Sequence, residues 1–173
     1  MSRIIFVLGG ARSGKSRYAS LMAKRSGQKT VFIATATALD DEMRERIRLH
    51  KISRPKDWSL IEEPLDLRRC MLTLKPVYGT ALIDCLGLWI SNLLMTGMKD
   101  TSIEKMIKGF VEAARKAKAG TVIIVSNEVG SGIVPADPLS RRFRDLIGLA
   151  NQAVAEKADD VFFMHAGIPV KLK

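Results

Sequence analysis

Eight consecutive residues, Gly9-Gly10-Ala11-Arg12-Ser13-Gly14-Lys15-Ser16, match the pattern G-x-x-x-x-G-K-[ST] without a mismatch. The residue types suit one chemistry. The glycines let the backbone curl until successive N–H groups, and the N-terminus of the helix that follows, face a polyphosphate. The Lys15 ammonium adds a point charge that reaches β- and γ-phosphates, and the Ser16 hydroxyl is placed to ligate a Mg²⁺ bridging them. The motif carries weight only between a strand and a helix. Arg3 to Leu8 is a short apolar run and Lys15 to Arg25 reads as a helix, so a nucleotide is the expected ligand.

Other residues could join this site. Thr80 to Asp84 (TALID) is an apolar run that ends in a carboxylate. At the tip of a strand beside the one carrying the loop, Asp84 would be the second anchor for the metal. Thr121 to Asn127 (TVIIVSN) ends in the same manner and is followed by Glu128, which competes with Asp84 for that role. Strand order is not visible in a sequence, so the two acids stay unranked. Ala34-Thr35-Ala36 closes a further apolar run at the strand edge where ligands bind in open α/β sheets. These small residues could line a base or ribose pocket, and a plain tight turn explains them equally well. Glu62 and Glu63 could hold a ribose or a metal, or could simply begin a solvated helix. Of the two histidines, His50 falls on an expected helix from Asp40 to about Ser53; Arg46, His50 and Arg54 are spaced four apart and would share a face if the last turn persists, although Pro55 is expected to release Arg54 into the following loop. Spacing alone gives it no role. His165 is expected to be structural, being far along the chain on a strand without basic neighbours.

The elements that position these groups alternate between strand and helix. Strands are expected at Lys29 to Thr35, Ser59 to Glu62, Thr80 to Asp84, Thr121 to Asn127 and Asp160 to His165, with a short last strand at Val170 to Lys173. Helices are expected at Pro64 to Leu74, Leu86 to Met95 and Thr101 to Lys118. Another runs from Pro138 to about Lys157 behind an Asp137 N-cap. Alternation of this kind implies a mostly parallel α/β sheet covered on both faces. The Leu86–Met95 helix is so apolar that self-association is expected to cover part of it. The glycine-punctuated stretch from Val129 to Pro135 is expected at the rim of the site, near a polar stripe of Arg141, Arg144, Asp145, Asn151 and Gln152. That stripe is either a solvated face or a set of clamps for a large substrate.

With 173 residues, no internal repeat and no linker, residues 1–173 are expected to form one domain. Charged residues interrupt every apolar run before it reaches membrane-spanning length. Met1-Ser2-Arg3 leads straight into the first strand, so no signal peptide and a cytoplasmic location are expected. Cys70 and Cys85 are expected to be buried free thiols. The net charge of +10 raises nucleic acid as a partner, but its distribution argues otherwise. Residues 1–58 carry 13 Lys/Arg against 5 Asp/Glu, residues 59–173 only 15 against 13, and no basic strip is interleaved with aromatics. Small phosphate-rich molecules explain the excess at least as well, and no nucleic-acid partner is expected.

Taken together, the segments GGARSGKS, IAT at Ile33 to Thr35, DDEMRERIRLHKISRPKDW at Asp40 to Trp58, SNEVGSGIVP at Ser126 to Pro135, RRFRDLIGLANQ at Arg141 to Gln152 and the closing GIPVKLK resemble, from end to end, the bifunctional adenosylcobinamide kinase / adenosylcobinamide-phosphate guanylyltransferases of cobalamin biosynthesis. The phosphate loop alone names a superfamily; the His50 segment and SNEVGSGIVP together are specific. The resemblance implies a RecA-like P-loop NTPase fold and a homotrimer. It makes His50 the residue that accepts GMP, and it places Ala34, Thr35, Ala36, Lys51, Ile52, Ser53, Arg54, Glu62 and Asp84 around the guanine nucleotide beside the loop. It implies GTP and ATP as substrates, Mg²⁺ as cofactor and a corrinoid, adenosylcobinamide, as acceptor, with no stable membrane insertion. Two rivals are a P-loop small-molecule kinase without nucleotidyl transfer and a RecA-like ATPase acting on nucleic acid.

Overall fold

The computed structural model describes the chain except residues 39–40, 42–43, 46–47, 49–50 and 53–54. Its strands are β1 (Arg3–Gly9), β2 (Thr30–Ala34), β3 (Ser59–Glu62), β4 (Thr80–Asp84), β5 (Thr121–Asn127), β6 (Asp160–His165) and β7 (Ile168–Lys171). They form one seven-stranded sheet in the order β3-β2-β4-β5-β1-β6-β7. All pairings are parallel except β6 with β7. The helices are α1 (Lys15–Arg25), α2 (Leu67–Thr73), α3 (Leu86–Met95), α4 (Asp100–Lys116) and α5 (Pro138–Lys157). Between β2 and β3, Asp41, Arg44, Glu45, Arg48, Lys51 and Ile52 are helical, as the periodicity of that stretch predicts.

Strand alternation divides the interior into two layers. Ile4, Phe6, Val31, Ile33, Ile83, Val122 and Ile124 face a large cluster with α2, α3, α4 and α5. Ile5, Val7, Phe32, Leu82, Ile123 and Val125 face a smaller one with Ala19 and Ala23 of α1. Both faces are therefore covered, which explains why the strands read as continuous apolar runs. Trp89 anchors the large layer: its ring centroid lies 5.3 Å from that of Phe110, and its indole N–H donates to the Leu65 carbonyl at 2.8 Å. Each such buried side chain contributes about 1.5–3 kcal/mol through the hydrophobic effect.

Local sequence signals set several boundaries. Asp137 caps α5 by accepting from the Ser140 N–H at 2.7 Å, with Pro138 at the first helical position. Asp66 caps α2 through the Arg69 N–H at 2.9 Å. The Glu63 carboxylate accepts from the N–H groups of Leu65 and Asp66, so α2 begins later than the expected Pro64. Cys70 and Cys85 are buried free thiols, and burial pushes Cys70 up to about 11 and Cys85 to about 12.

Two expectations are corrected. The strand ending in Asp84 is not beside the strand that carries the loop, because β5 lies between β4 and β1. Helix α3 is also less exposed than its composition suggests. Leu86, Trp89, Ile90, Leu93 and Leu94 are buried within the chain, and among its large apolar side chains only Met95 is exposed. Neighbouring elements thus cover the face that motivated self-association. No described helix is long and apolar enough to cross a membrane.

Candidate functional site

Because β1 to β6 run parallel, their C-terminal ends share one edge of the sheet. Register makes the alignment specific. Ala34 of β2 is the partner of Glu62 on β3 and of Asp84 on β4. Asp84 in turn faces Val125, and Val125 faces Val7 of β1. Three expected site residues therefore stand in one row, two residues below the point where Gly9 leaves β1 for the loop.

The loop holds its shape through close packing. A Cβ on Gly9 would lie 2.5 Å from the Met164 carbonyl oxygen and 2.8 Å from the Ser13 Oγ, so only glycine fits there. Gly14, at the N-cap of α1, has φ 94, a left-handed value that favours glycine. The turn between β6 and β7 supports the loop from the side, the Gly167 N–H donating to the Ser13 carbonyl at 3.0 Å. Gly9 also accepts at its carbonyl from the Glu128 N–H at 3.0 Å. Arg12 projects outward and Ser16 is half-buried.

Lys15 and Ser13 are the polar groups turned inward. Lys15 is buried, and its ammonium donates to the Gly10 carbonyl at 2.6 Å. Burial lowers the Lys15 pKa, while Cys85 and Asp84 act in the opposite sense. Asp84 bears on Lys15 although β5 separates β4 from β1, because Lys15 is carried by α1, whose Ala19 and Ala23 pack with Leu82 of β4. Ser13 Oγ is, among the described residues, the one buried side-chain oxygen without a hydrogen-bond partner. A phosphate oxygen above the loop is the kind of acceptor that such a hydroxyl lacks. The nucleotide reading therefore fits the donors present.

The two rival acids differ in environment. Asp84 influences Lys15 and raises the Cys85 pKa after burial, its main cause. The Glu128 carboxylate is turned back onto its own loop, accepting from the Gly130 N–H at 2.6 Å. No group of three or more His, Cys, Asp or Glu side chains placed to hold a metal ion occurs among the described residues. One hydroxyl and one carboxylate remain a sufficient protein share for Mg²⁺, which takes its other ligands from phosphates and water. Ser16 and Asp84 fit that donor set.

At the β3 side of the same sheet edge, Lys51 and Glu62 form an ion pair with Nζ–Oε1 at 2.7 Å. Ile52 is exposed, and Ala36 lies half-buried after β2. Thr35 is fully buried; its hydroxyl donates to the Cys85 carbonyl at 2.7 Å and accepts from the Cys85 N–H at 2.9 Å. His50, Ser53 and Arg54, together with Arg46, lie outside the described residues. His165 is exposed at the end of β6, next to Met164, the register partner of Gly9. It is therefore near the phosphate loop in space, although remote from it in sequence.

The stripe on α5 divides. Asn151 is buried; its amide donates to the Asn127 carbonyl at 3.0 Å and accepts from the Ser126 hydroxyl at 2.6 Å. It serves the end of β5. Arg141 donates to the Pro135 and Ala136 carbonyls and so holds the loop after β5. Arg144 pairs with Asp145. Asn92 was not among the expected residues, yet its amide donates to the carbonyls of Thr35 at 2.7 Å and Pro64 at 3.1 Å. A lone amide inside the apolar run of α3 is the sequence signal that could have found it.

The family model described as cobinamide kinase / cobinamide phosphate guanyltransferase matches residues 5–172. The chain is 42% identical over 170 residues to the bifunctional adenosylcobalamin biosynthesis protein CobP of Pseudomonas aeruginosa, covering 96% of this chain and 95% of the relative. It is 37% identical over 182 residues to the bifunctional adenosylcobalamin biosynthesis protein CobU of Escherichia coli K12, covering 98% and 99%. Among solved structures, the RadB recombinase aligns with a TM-score of 0.51 at 16% identity, covering 93% of this chain and 73% of that one. That likeness concerns the fold alone, which is RecA-like.

Proposed function

The chain belongs to the cobinamide kinase / cobinamide phosphate guanyltransferase family, and from that premise we propose two reactions at one sheet edge. In the first, the terminal hydroxyl of adenosylcobinamide attacks the γ-phosphorus of ATP or GTP. The bond to the β-bridging oxygen breaks, and the hydroxyl proton is released. In the second, the α-phosphorus of GTP passes to an imidazole nitrogen of His50 as pyrophosphate leaves. An oxygen of adenosylcobinamide phosphate then attacks that phosphorus, the P–N bond breaks, and adenosylcobinamide-GDP forms. Splitting the transfer replaces one hard displacement by two easier ones.

The observation that carries the reading is the pairing of a complete phosphate loop with family membership over residues 5–172. The residues have separable tasks. The N–H groups from Gly10 to Ser16 and the N-terminus of α1 bind phosphate oxygens, and Ser13 Oγ adds a donor. Lys15 exchanges the Gly10 carbonyl for phosphate and offsets charge developing on the β- and γ-oxygens. Ser16 and Asp84 would hold Mg²⁺, which supplies further charge neutralisation on the phosphates when bound. Asp84 is preferred to Glu128 because it stands in register with Ala34 and, through it, Glu62, whereas the Glu128 carboxylate is turned to the Gly130 N–H. Ala34, Ala36, Lys51, Ile52, Ser53, Arg54 and Glu62 form the guanosine side, with the fully buried Thr35 behind them rather than against the ligand; the row Glu62–Ala34–Asp84 supports this grouping. The role of His50 rests on the resemblance of its segment.

We read the enzyme as one domain acting as a cytoplasmic homotrimer, without nucleic acid. Exposed Met95, Ile133, Val134 and Leu139 supply apolar surface for contacts between copies. The test is incubation of the protein with adenosylcobinamide and Mg-GTP, followed by separation of the corrinoids. A monophosphate and then a GDP derivative with pyrophosphate are expected. A product that stops at the monophosphate would favour a simple kinase.

A further inference from the structure

We propose that Thr35 and Asn92 form a positioning pair that fixes Asp84 for its part in Mg-nucleotide binding, acting through the backbone at the end of β4. The inference rests on the assignment of Asp84 as the metal-side acid.

Parallel pairing of β2 with β4 ends at Ala34 and Asp84. Beyond that pair β2 runs on into a loop while β4 passes through Cys85 straight into α3, so the backbone that carries the Asp84 side chain loses regular strand support on one side. Thr35 continues the support by one residue with its side chain. Its N–H donates to the Asp84 carbonyl at 3.4 Å, and its hydroxyl spans the Cys85 N–H and carbonyl at 2.9 and 2.7 Å. Thr35 is 0% exposed, so the hydroxyl has no access to a ligand. Both its donor and an acceptor position are committed to Cys85. Its contribution therefore lies in where Asp84 stands.

Asn92 supplies the other half of the clamp. From α3 its amide donates to the Thr35 and Pro64 carbonyls, and its oxygen accepts from the Thr37 hydroxyl at 3.2 Å. The exits of β2 and β3 are thereby tied to one helix, and Thr35 extends the tie to β4. Side chains that orient a metal-side group through hydrogen bonds affect metal-dependent binding by about 10- to 100-fold. The phosphate loop, on β1, shares none of these bonds.

The test is equilibrium binding of a non-hydrolysable GTP analogue with Mg²⁺ and in EDTA. It requires neither corrinoid nor turnover. Wild-type protein should bind more tightly with Mg²⁺, and Asp84→Asn should lose that gain. Thr35→Val should lose about tenfold of the Mg²⁺-dependent affinity with affinity in EDTA held, and Thr35→Ser, which keeps the hydroxyl, should restore the gain. Asn92→Leu, suited to an apolar helix, should shift the same ratio in the same direction and gives the answer even where Thr35→Val does not fold. If Asp84→Asn loses the Mg²⁺ gain while Thr35→Val or Asn92→Leu keeps it, the positioning role is overturned. Equal loss with and without Mg²⁺ overturns it also. If Asp84→Asn itself keeps the gain, the assignment of Asp84 fails, whatever the corrinoid chemistry.

Discussion

Lys51 and Glu62 meet as an ion pair, Nζ to Oε1 at 2.7 Å, joining the helical stretch before β3 to the tip of β3 itself. Their side chains are 49% and 57% exposed. A pair this open to water contributes about 0–1 kcal/mol to stability, so its value is expected to lie in function. Glu62→Gln should leave the melting temperature nearly unchanged and raise the KM for GTP in guanylyl transfer. Loss of stability without an effect on KM would assign the pair to the fold.

Gly9→Ala tests the packing of the phosphate loop. The added Cβ meets the Met164 carbonyl and the Ser13 hydroxyl at 2.5 and 2.8 Å, and the backbone carbonyl belongs to a paired strand that cannot swing aside. Overpacking of this kind costs about 1–3 kcal/mol. The variant should melt several degrees lower and bind nucleotide weakly even with Mg²⁺. Calorimetry and equilibrium binding check the two parts, and unaltered binding would contradict the geometry described for Gly9.

The acids at the tips of β4 and β5 separate by substitution. Asp84→Asn should lower both transfers by about two orders of magnitude or more, as loss of a charge aimed at the reacting phosphates does, with the fold retained. Glu128→Gln should be milder, since that carboxylate serves the Gly130 N–H. Steady-state rates for both variants decide it. An inactive Glu128→Gln beside a near-normal Asp84→Asn reverses the roles.

What the sequence made legible was local. The phosphate loop, the parallel apolar strands and the Asp137 cap each depend on residues within a few positions of one another, and appear where their patterns require; the last strand, expected at Val170 to Lys173, begins earlier, at Ile168, because its register is set by pairing with β6. Groups defined by long-range pairing were not legible. Nothing near Asp84 announces that β5 separates β4 from β1. The hydroxyl of Thr35 finds Cys85 only because their strands pair, and a small residue at a strand tip reads equally as pocket or turn. Asn151 reads equally as part of a solvated face or as a clamp for substrate, because helical spacing cannot reveal that Ser126 and the Asn127 carbonyl lie behind it. His165 looked remote because distance along a chain says nothing about a β6 that returns to the side of β1.

The nearness of His165 to the phosphate loop gives His50, proposed as the residue guanylylated, a rival. Both histidines must now be compared, since His165 ends a strand adjacent to the loop. The direct measurement is incubation with Mg-GTP labelled at the α- or the γ-phosphate, followed by denaturing separation of wild type, His50→Ala and His165→Ala. Label is expected from the α position alone, in an acid-labile and alkali-stable bond, absent from His50→Ala and retained in His165→Ala. The kinase step should survive in His50→Ala, because phosphoryl transfer depends on the loop, Lys15 and Asp84. Undiminished labelling of His50→Ala, or label arriving from the γ-phosphate, would contradict the assignment of His50.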